Sequence, residues 1–329
     1  MSNPREIMIA DIGGTHARFA LTQISDGRIS KLEHVVKIDC NNHASLQIAW
    51  EAYGADLGRE LPREAAIAVA APISRDAIYF TNSSWMLHPE LVQEKLGLDR
   101  FTLINDFGAV SHAVANLEST FFEPICRLEK PWERQGVVCV VGPGTGLGVA
   151  QLLFTDDGYH VVQTEGGHID FAPLDNVEDQ LLTRLRATHR RVSAERIVSG
   201  PGLGTIYRLL AELEGQQHRE IDDKALWALA LNNEDALASA PFDHFCLCLG
   251  SIAGNLALAQ GANRVVIAGG LGARIGNRLA SSGFRERFIA KGRFQSMMEN
   301  IGVYRMLHKE PGLYGAAEAF LREYGNANH

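Results

Sequence analysis

The sequence has no surplus of positive charge, no long apolar run and no paired-cysteine spacing, and each absence closes a class of function. It carries 31 Lys and Arg against 39 Asp and Glu, a net charge of −8. An acidic chain without a basic block is a poor partner for nucleic acid. The short basic stretch Arg184 to Arg191 reads as a solvated helix face. The five cysteines, Cys40, Cys126, Cys139, Cys246 and Cys248, are odd in number and scattered. Metal sites want Cys-x-x-Cys pairs backed by further Cys or His ligands, so buried free thiols in a reducing, cytoplasmic setting are expected. No run reaches the roughly 18 apolar residues that cross a bilayer. Asp11 interrupts the first apolar stretch too early for a signal peptide. The expectation is a protein with neither nucleic acid nor membrane as partner.

What is present is an ordinary globular composition, 46% hydrophobic and 21% charged over 329 residues. That length exceeds what one core usually organises, about 250–300 residues, so two lobes are expected. Apolar patterning places a first hairpin at 7–12 and 17–23, with a third strand within 28–38. A helix follows at 44–57, then a continuous apolar run at 65–71 that reads as a strand buried on both faces. Ala77 to Thr81 alternates, Pro89 to Leu96 has helical spacing, and a buried strand at 101–104 leads into a helix at 107–117. Residues 118–135 mix proline, charge and aromatics and are the linker candidate. The programme then restarts: strands at 137–141 and 160–163, helices at 176–188, 202–213, 224–231 and 242–260, a strand at 264–268, a short strand at 303–307 and a last helix at 315–324. This is a weak internal duplication and shows no solenoid period. Mixed α/β lobes with functional turns at strand ends are the architecture it implies.

Twice a glycine turn opens onto an extended, alternating segment: Asp11-Ile-Gly-Gly-Thr-His-Ala-Arg-Phe-Ala-Leu21 and Gly142-Pro-Gly-Thr-Gly-Leu-Gly-Val-Ala-Gln-Leu152. Such a turn can aim bare backbone N–H groups and a threonine hydroxyl at an anion. Its other reading is a tight hairpin needing positive φ. A dinucleotide fold would require a helix after the glycines, whereas Val149 to Phe154 is β-branched and apolar. A Walker loop would require Gly-Lys-Ser/Thr, which follows neither turn. Two such turns, with a third glycine cluster at Gly269-Gly270, point to an ATP-dependent phosphotransferase.

Asn105-Asp106 stands at the end of a buried strand, where α/β folds place ligands. Asp106 is therefore either a base for an attacking hydroxyl or the N-cap of the following helix. Glu165-Gly-Gly-His168, and Glu195 within Ser193 to Gly200, offer directional partners for sugar hydroxyls. Each also has a plain reading: a turn carboxylate, a satisfied histidine and a helix-surface charge. No cluster has metal-cage spacing, so Mg²⁺ would arrive with the nucleotide, held through water by Asp11.

Taken together these segments resemble the bacterial glucokinase family, within the hexokinase, actin and heat-shock chaperone superfamily of ATP-binding folds. The resemblance rests on Asp11-Ile-Gly-Gly-Thr15, Leu103-Ile-Asn-Asp-Phe-Gly-Ala-Val110, Gly142 to Gly148, Glu165-Gly-Gly-His-Ile-Asp-Phe-Ala-Pro173, Ser193 to Gly202, Ala268-Gly-Gly-Leu-Gly272 and Pro311-Gly-Leu-Tyr-Gly315. It implies a two-lobed, actin-like (ribonuclease H-like) α/β fold with sugar and ATP in the interlobe cleft. It implies a small domain of 1–116 plus 312–329 and a large domain of 117–311. It implies Asp106 as general base, with Asn105, Asp106, Glu165, His168 and Glu195 on the sugar. Around ATP it implies Ala10, Asp11, Ile12, Gly13, Gly14, Thr15, Gly144, Thr145, Gly146, Gly269 and Gly270. The implied substrates are D-glucose and ATP with Mg²⁺, and the implied assembly is a homodimer. Two departures stand out. His16 follows Gly-Gly-Thr where many relatives have Asn, and Asp170 to Asn176 lacks the cysteines of the related repressor–kinases, so no structural zinc is expected. Competing classes are a kinase of another hexose, a non-catalytic sugar sensor, and an actin-like or chaperone-like ATPase; a polyphosphate donor would suit the same turns.

Overall fold

Strands β1 (Arg5–Ile12) and β2 (His16–Ser25) form an antiparallel hairpin that pairs Asp11 with Arg18 and Ile12 with Ala17. In the computed structural model, which describes residues 4–74, 76–80, 83–126, 131–217, 220–232 and 236–325, this hairpin is the start of one of two units. That unit takes the chain up to Leu117 and again from His308 onward; the other spans Glu118–Leu307.

In the first unit, β3 (Arg28–Ile29) and β4 (Glu33–Asp39) both pair with β2. Helix α1 (Leu46–Leu57) is capped by Ser45, whose Oγ accepts from the Ile48 N–H, and ends on Gly58 in the left-handed region. Strand β5 (Glu64–Val69) then runs parallel to β1. Its alternation decides its place. Ala65, Ile67 and Val69 enter the core shared with Trp50 and Tyr53 of α1, while Ala66 and Ala68 face a second core with Leu313, Ala316 and Phe320. A small hairpin of β6 (Ile78–Tyr79) and β7 (Met86–Leu87) and the short helix α2 (Val92–Leu96) follow; Thr81 lies outside the described residues. Strand β8 (Arg100–Asn105) runs parallel to β5 and delivers the chain into α3 (Asp106–Asn116). The C-terminal helix, Pro311–Tyr324, lies against α3 so closely that a Cβ at Gly315 would overlap the Ala109 carbonyl.

The second unit repeats this wiring. The division between the units falls at Leu117/Glu118, the start of the segment 118–135 expected as a linker; within it, β9 (Phe122–Pro124) pairs antiparallel with a later strand at Tyr304 to Met306. Trp132 stacks on Phe122 with ring centroids 3.9 Å apart. Three residues at a sheet edge carry too little periodicity to read as a strand; residues 127–130 lie outside the described part. Strands β10 (Gly136–Pro143) and β11 (Leu147–Thr155) form the second hairpin, extended by β12 (Gly158–Thr164). Four helices follow: α4 (Asn176–Thr188), α5 (Gly200–Leu213), α6 (Asp223–Asn232) and α7 (Ala236–Gln260). Then β13 (Arg264–Ile267) joins β10 in parallel. After α8 (Gly269–Ser281), α9 (Phe284–Ile289) and α10 (Gln295–Met298), strand β14 (Gly302–Met306) joins β13 in parallel. Both sheets are thus a hairpin whose first strand continues into two parallel neighbours.

Helix α7 refines one expectation. Its stretch Ala238–Gln260 is long and apolar enough to cross a membrane by length and composition alone. Phe242, Phe245, Cys246, Leu249 and Ala253 on it are buried among the unit's own core residues. That packing accounts for its apolar composition.

Candidate active site

The first Gly-Thr turn closes the β1–β2 hairpin. The Gly13 N–H donates to the His16 carbonyl at 2.9 Å, and the Thr15 carbonyl accepts from the Cys40 N–H at 2.9 Å. Because His16 closes the turn through its backbone, its imidazole is not needed for the shape. Burial, followed by the nearby Lys37, lowers the pKa of that imidazole. Ala10 and Ile12 are fully buried, and the Ile12 carbonyl accepts from the Ala70 N–H at 2.9 Å. Neither Gly13 nor Gly14 has positive φ, so a left-handed turn is not what requires glycine here.

Asp11 stands at the end of β1. Arg18 Nη1 lies 3.5 Å from its Oδ2, and Arg18 Nε lies 3.2 Å from Glu310 Oε2. Burial raises the Asp11 pKa; Arg18 opposes that shift and Glu310 adds to it. Motif spacing assigns no role to Arg18, Glu310 or Gly312. Arg18 was nevertheless legible, since counting back across the turn pairs position 18 with position 11.

At the β8–α3 junction the N-cap is Asn105, not Asp106. Asn105 Oδ1 accepts from the N–H groups of Phe107 at 3.0 Å and Gly108 at 3.1 Å, and its Nδ2 donates to the Ala71 carbonyl at 3.3 Å. Asp106 is the first helical residue, half-buried, with Oδ1 accepting from the Phe107 N–H at 2.8 Å. The capping duty that competed with a catalytic role therefore falls on its neighbour. Asn105 keeps one amide N–H beyond these bonds for a ligand.

In the second unit three segments distant in sequence converge. The turn between β10 and β11 is held by the Gly144 N–H donating to the Gly146 carbonyl at 2.8 Å. The Gly144 carbonyl accepts from the Gly200 N–H, at the start of α5, at 2.7 Å. Gly144 and Gly146 also lack positive φ. A Cβ at Gly144 would meet no protein atom within 4 Å, and Thr145 is exposed at the tip. What glycine supplies there is bare backbone open to a ligand, as an anion site needs.

Glu195 docks onto this turn, its Oε2 accepting from the Leu147 N–H at 2.9 Å. His168 Nε2 lies 3.9 Å from the same oxygen and 4.0 Å from Glu165 Oε2. The Glu165–His168 turn reaches this position because Gly167 presses on β11, where a Cβ would overlap the Leu147 carbonyl. Beyond it, the Ala194 N–H donates to the Ile169 carbonyl at 2.8 Å and the Phe171 N–H to the Val192 carbonyl at 3.0 Å. Those bonds lay the segments that carry Glu165 to His168 and Glu195 side by side, giving two carboxylates and an imidazole around one point.

The third glycine cluster opens α8. Gly269 has φ +80°, and the preceding Ala268 N–H donates to the Val141 carbonyl at 2.8 Å. A Cβ at Gly269 would sit 3.5 Å from the Pro143 carbonyl oxygen, whereas at Gly270 it would meet nothing within 4 Å. The helix N-terminus and the second Gly-Thr turn are therefore neighbours. Among the described residues no group of three or more His, Cys, Asp or Glu side chains is placed to hold a metal ion.

Two similarly wired sheets, each begun by a hairpin with a Gly-Thr turn, define an actin-like ATPase fold of the sugar-kinase kind. The sequence profile of the family described as Glucokinase matches residues 8–323. A glucokinase of Zymomonas mobilis is 53% identical over 97% of this chain and 98% of its own length. The crystal structure of a glucokinase from an Antarctic psychrotroph superposes with a TM-score of 0.80 at 33% identity, covering 96% of this chain and 99% of that one. A ROK family glucokinase from Streptomyces griseus, solved with glucose and AMPPNP, shares the fold at a TM-score of 0.66 and 19% identity, over 95% and 98% of the two chains. The chain belongs to the glucokinase family.

Proposed function

We propose that the protein phosphorylates D-glucose with ATP, transferring the γ-phosphate to the 6-hydroxyl and feeding glycolysis. The observation that carries this reading is the placement of Glu165, His168 and Glu195 around one point against the second Gly-Thr turn. Anion-binding backbone and sugar-binding side chains there form one structure. The Streptomyces griseus relative, solved with glucose and an ATP analogue, supports the same pair of substrates.

In this reading Asp106 accepts the proton of the attacking hydroxyl, and Asn105 turns its remaining amide N–H toward the sugar. Glu165, His168 and Glu195 fix the hydroxyls. The turns at Gly13 to Thr15 and Gly144 to Gly146, with Gly269 and Gly270, contact the nucleotide. Catalysis is then positioning plus electrostatics. Asp11 fits a Mg²⁺ ion carried in by the nucleotide, since one of its oxygens faces Arg18 and such an ion needs only one or two protein carboxylates. When bound, that ion offsets charge on the phosphates. The reading extends to a cytoplasmic homodimer, which sedimentation of the purified protein and cell fractionation test.

The deciding experiment is a donor-by-sugar matrix: ATP or polyphosphate against glucose, mannose, fructose and an N-acetylhexosamine, with Mg²⁺. Fastest turnover is expected for ATP with glucose. A clear preference for another sugar, or ATP hydrolysis that needs no sugar, defeats the proposal.

A further inference from the structure

We propose that Glu195, besides facing the sugar, braces the second Gly-Thr turn and so sets nucleotide affinity directly. The inference rests on the reading of that turn as a phosphate site and of Glu195 as a sugar acceptor.

The geometry is specific. Glu195 Oε2 accepts from the Leu147 N–H at 2.9 Å, and Leu147 immediately follows Gly144-Thr145-Gly146. A Cβ at position 146 would overlap that oxygen and stand 2.9 Å from Glu195 Cδ. Since Gly146 does not have positive φ, what a side chain there would meet is this carboxylate, which would have to leave its place against the turn. Glu195 thus holds the turn at its exit, while the Gly144 carbonyl, bonded to the Gly200 N–H at 2.7 Å, holds its entry. Thr145, between the two anchors, is exposed.

A carboxylate offers about four lone-pair positions. Glu195 can therefore keep the Leu147 N–H and still accept from a sugar hydroxyl, and its side chain is 29% exposed. A sugar bound to Glu195 narrows the motion of the turn, and a phosphate on the turn narrows the motion of Glu195. Two ligands that order one element favour each other, and the coupling is reciprocal.

The test is calorimetric ADP binding to the full-length protein with no sugar present. A residue that only holds sugar would not affect that measurement. Glu195→Ala should weaken ADP about tenfold, the scale of one lost charge-assisted hydrogen bond. Glu195→Gln keeps an acceptor for the Leu147 N–H, so it should bind ADP nearly as the wild type does while losing glucose affinity. Glu195→Asp, one methylene too short to reach Leu147, should lose ADP affinity, and it answers the question should the alanine variant fail to fold. Unchanged sugar-free ADP affinity in the Asp variant, or equal losses in the Gln and Asp variants, overturns the brace. Unchanged glucose affinity in the Gln variant would instead sink the sugar-site reading and leave the brace standing.

Discussion

A side chain at position 312 would stand 2.7 Å from Oδ2 of Asp11 and 2.9 Å from its Cγ. Gly312 is the second residue of the C-terminal helix, after Pro311, so the start of that helix rests on the carboxylate beside the first Gly-Thr turn. Bare backbone at a helix N-terminus favours a nearby negative charge, and only glycine permits this approach. Gly315, one turn further, gives the same helix its close packing on α3, the helix that begins with Asp106. One element therefore touches both Asp11 and the support of Asp106.

Gly312→Ala should move the Asp11 carboxylate. Overpacking of this kind costs about 1–3 kcal/mol, so a thermal midpoint lower by several degrees is expected. Because Asp11 faces the nucleotide in the proposed mechanism, kcat/KM for ATP should fall by about tenfold or more while KM for glucose changes less. Thermal melts and steady-state kinetics on one preparation check both, and wild-type values would remove Asp11 from the nucleotide site.

Arg18→Gln should shift the acid limb of the pH profile. Burial raises the Asp11 pKa, and Arg18 pulls it back. The ionised form is lost as pH falls through that raised value, so removing Arg18 moves the loss to higher pH. Glu310 pushes the same way as burial, so Glu310→Gln should move the limb to lower pH. Profiles of kcat/KM for ATP between pH 5 and 8 measure both directions. Superimposed profiles would contradict the role given to Asp11.

The fold shows in the sequence where one face of an element is uniform. The run at 65–71 reads as a two-sided strand, and residues 65–69 do alternate between two cores, while the strand stops at Val69 and Ala70 is exposed. Helix α4 shows at its full length because Leu181, Leu182 and Leu185 share a buried stripe and Asp175 caps it. Other parts are hidden for physical reasons. Helix α8 opens on Gly-Gly-Leu-Gly, poor helix formers, and breaks at Gly276, where φ is 47° and ψ −134°. The cap on α3 lies one residue before the position sequence reasoning offered, because Asn and Asp cap equally well and only coordinates distinguish Asn105 from Asp106. In the site, each motif is visible singly. That Glu195 bonds to Leu147, 48 positions away, depends on loop packing that no local pattern encodes.

Asp106→Asn should lower kcat by about 10²–10⁴, the usual contribution of a positioned base, while glucose still binds. The helix should survive the change, since Asn105 supplies the cap to Phe107 and Gly108. Asn105→Ala should instead cost about 1 kcal/mol of stability through the lost cap and weaken glucose binding, since the proposed mechanism turns its amide toward the sugar. Calorimetry with glucose, kcat and denaturation midpoints separate the two variants. Near-normal turnover in Asp106→Asn refutes the base.

His112, on α3, should make stability fall in acid. Burial, with a smaller push from Arg322, lowers its folded pKa to about 4, against an ordinary 6.5. Between those values the unfolded chain takes up a proton that the folded chain resists. Stability from this group is complete above 6.5 and declines as pH falls toward 4, by up to about 1.4 kcal/mol per pH unit. Urea midpoints for wild type and His112→Gln at pH 7, 6 and 5 isolate the effect, since other acid-sensitive groups are common to both proteins. The gap between the two should change steadily across that series, with the wild type losing more. A constant gap would mean that His112 is protonated as easily in the folded protein as in the unfolded chain, and burial would not explain its environment.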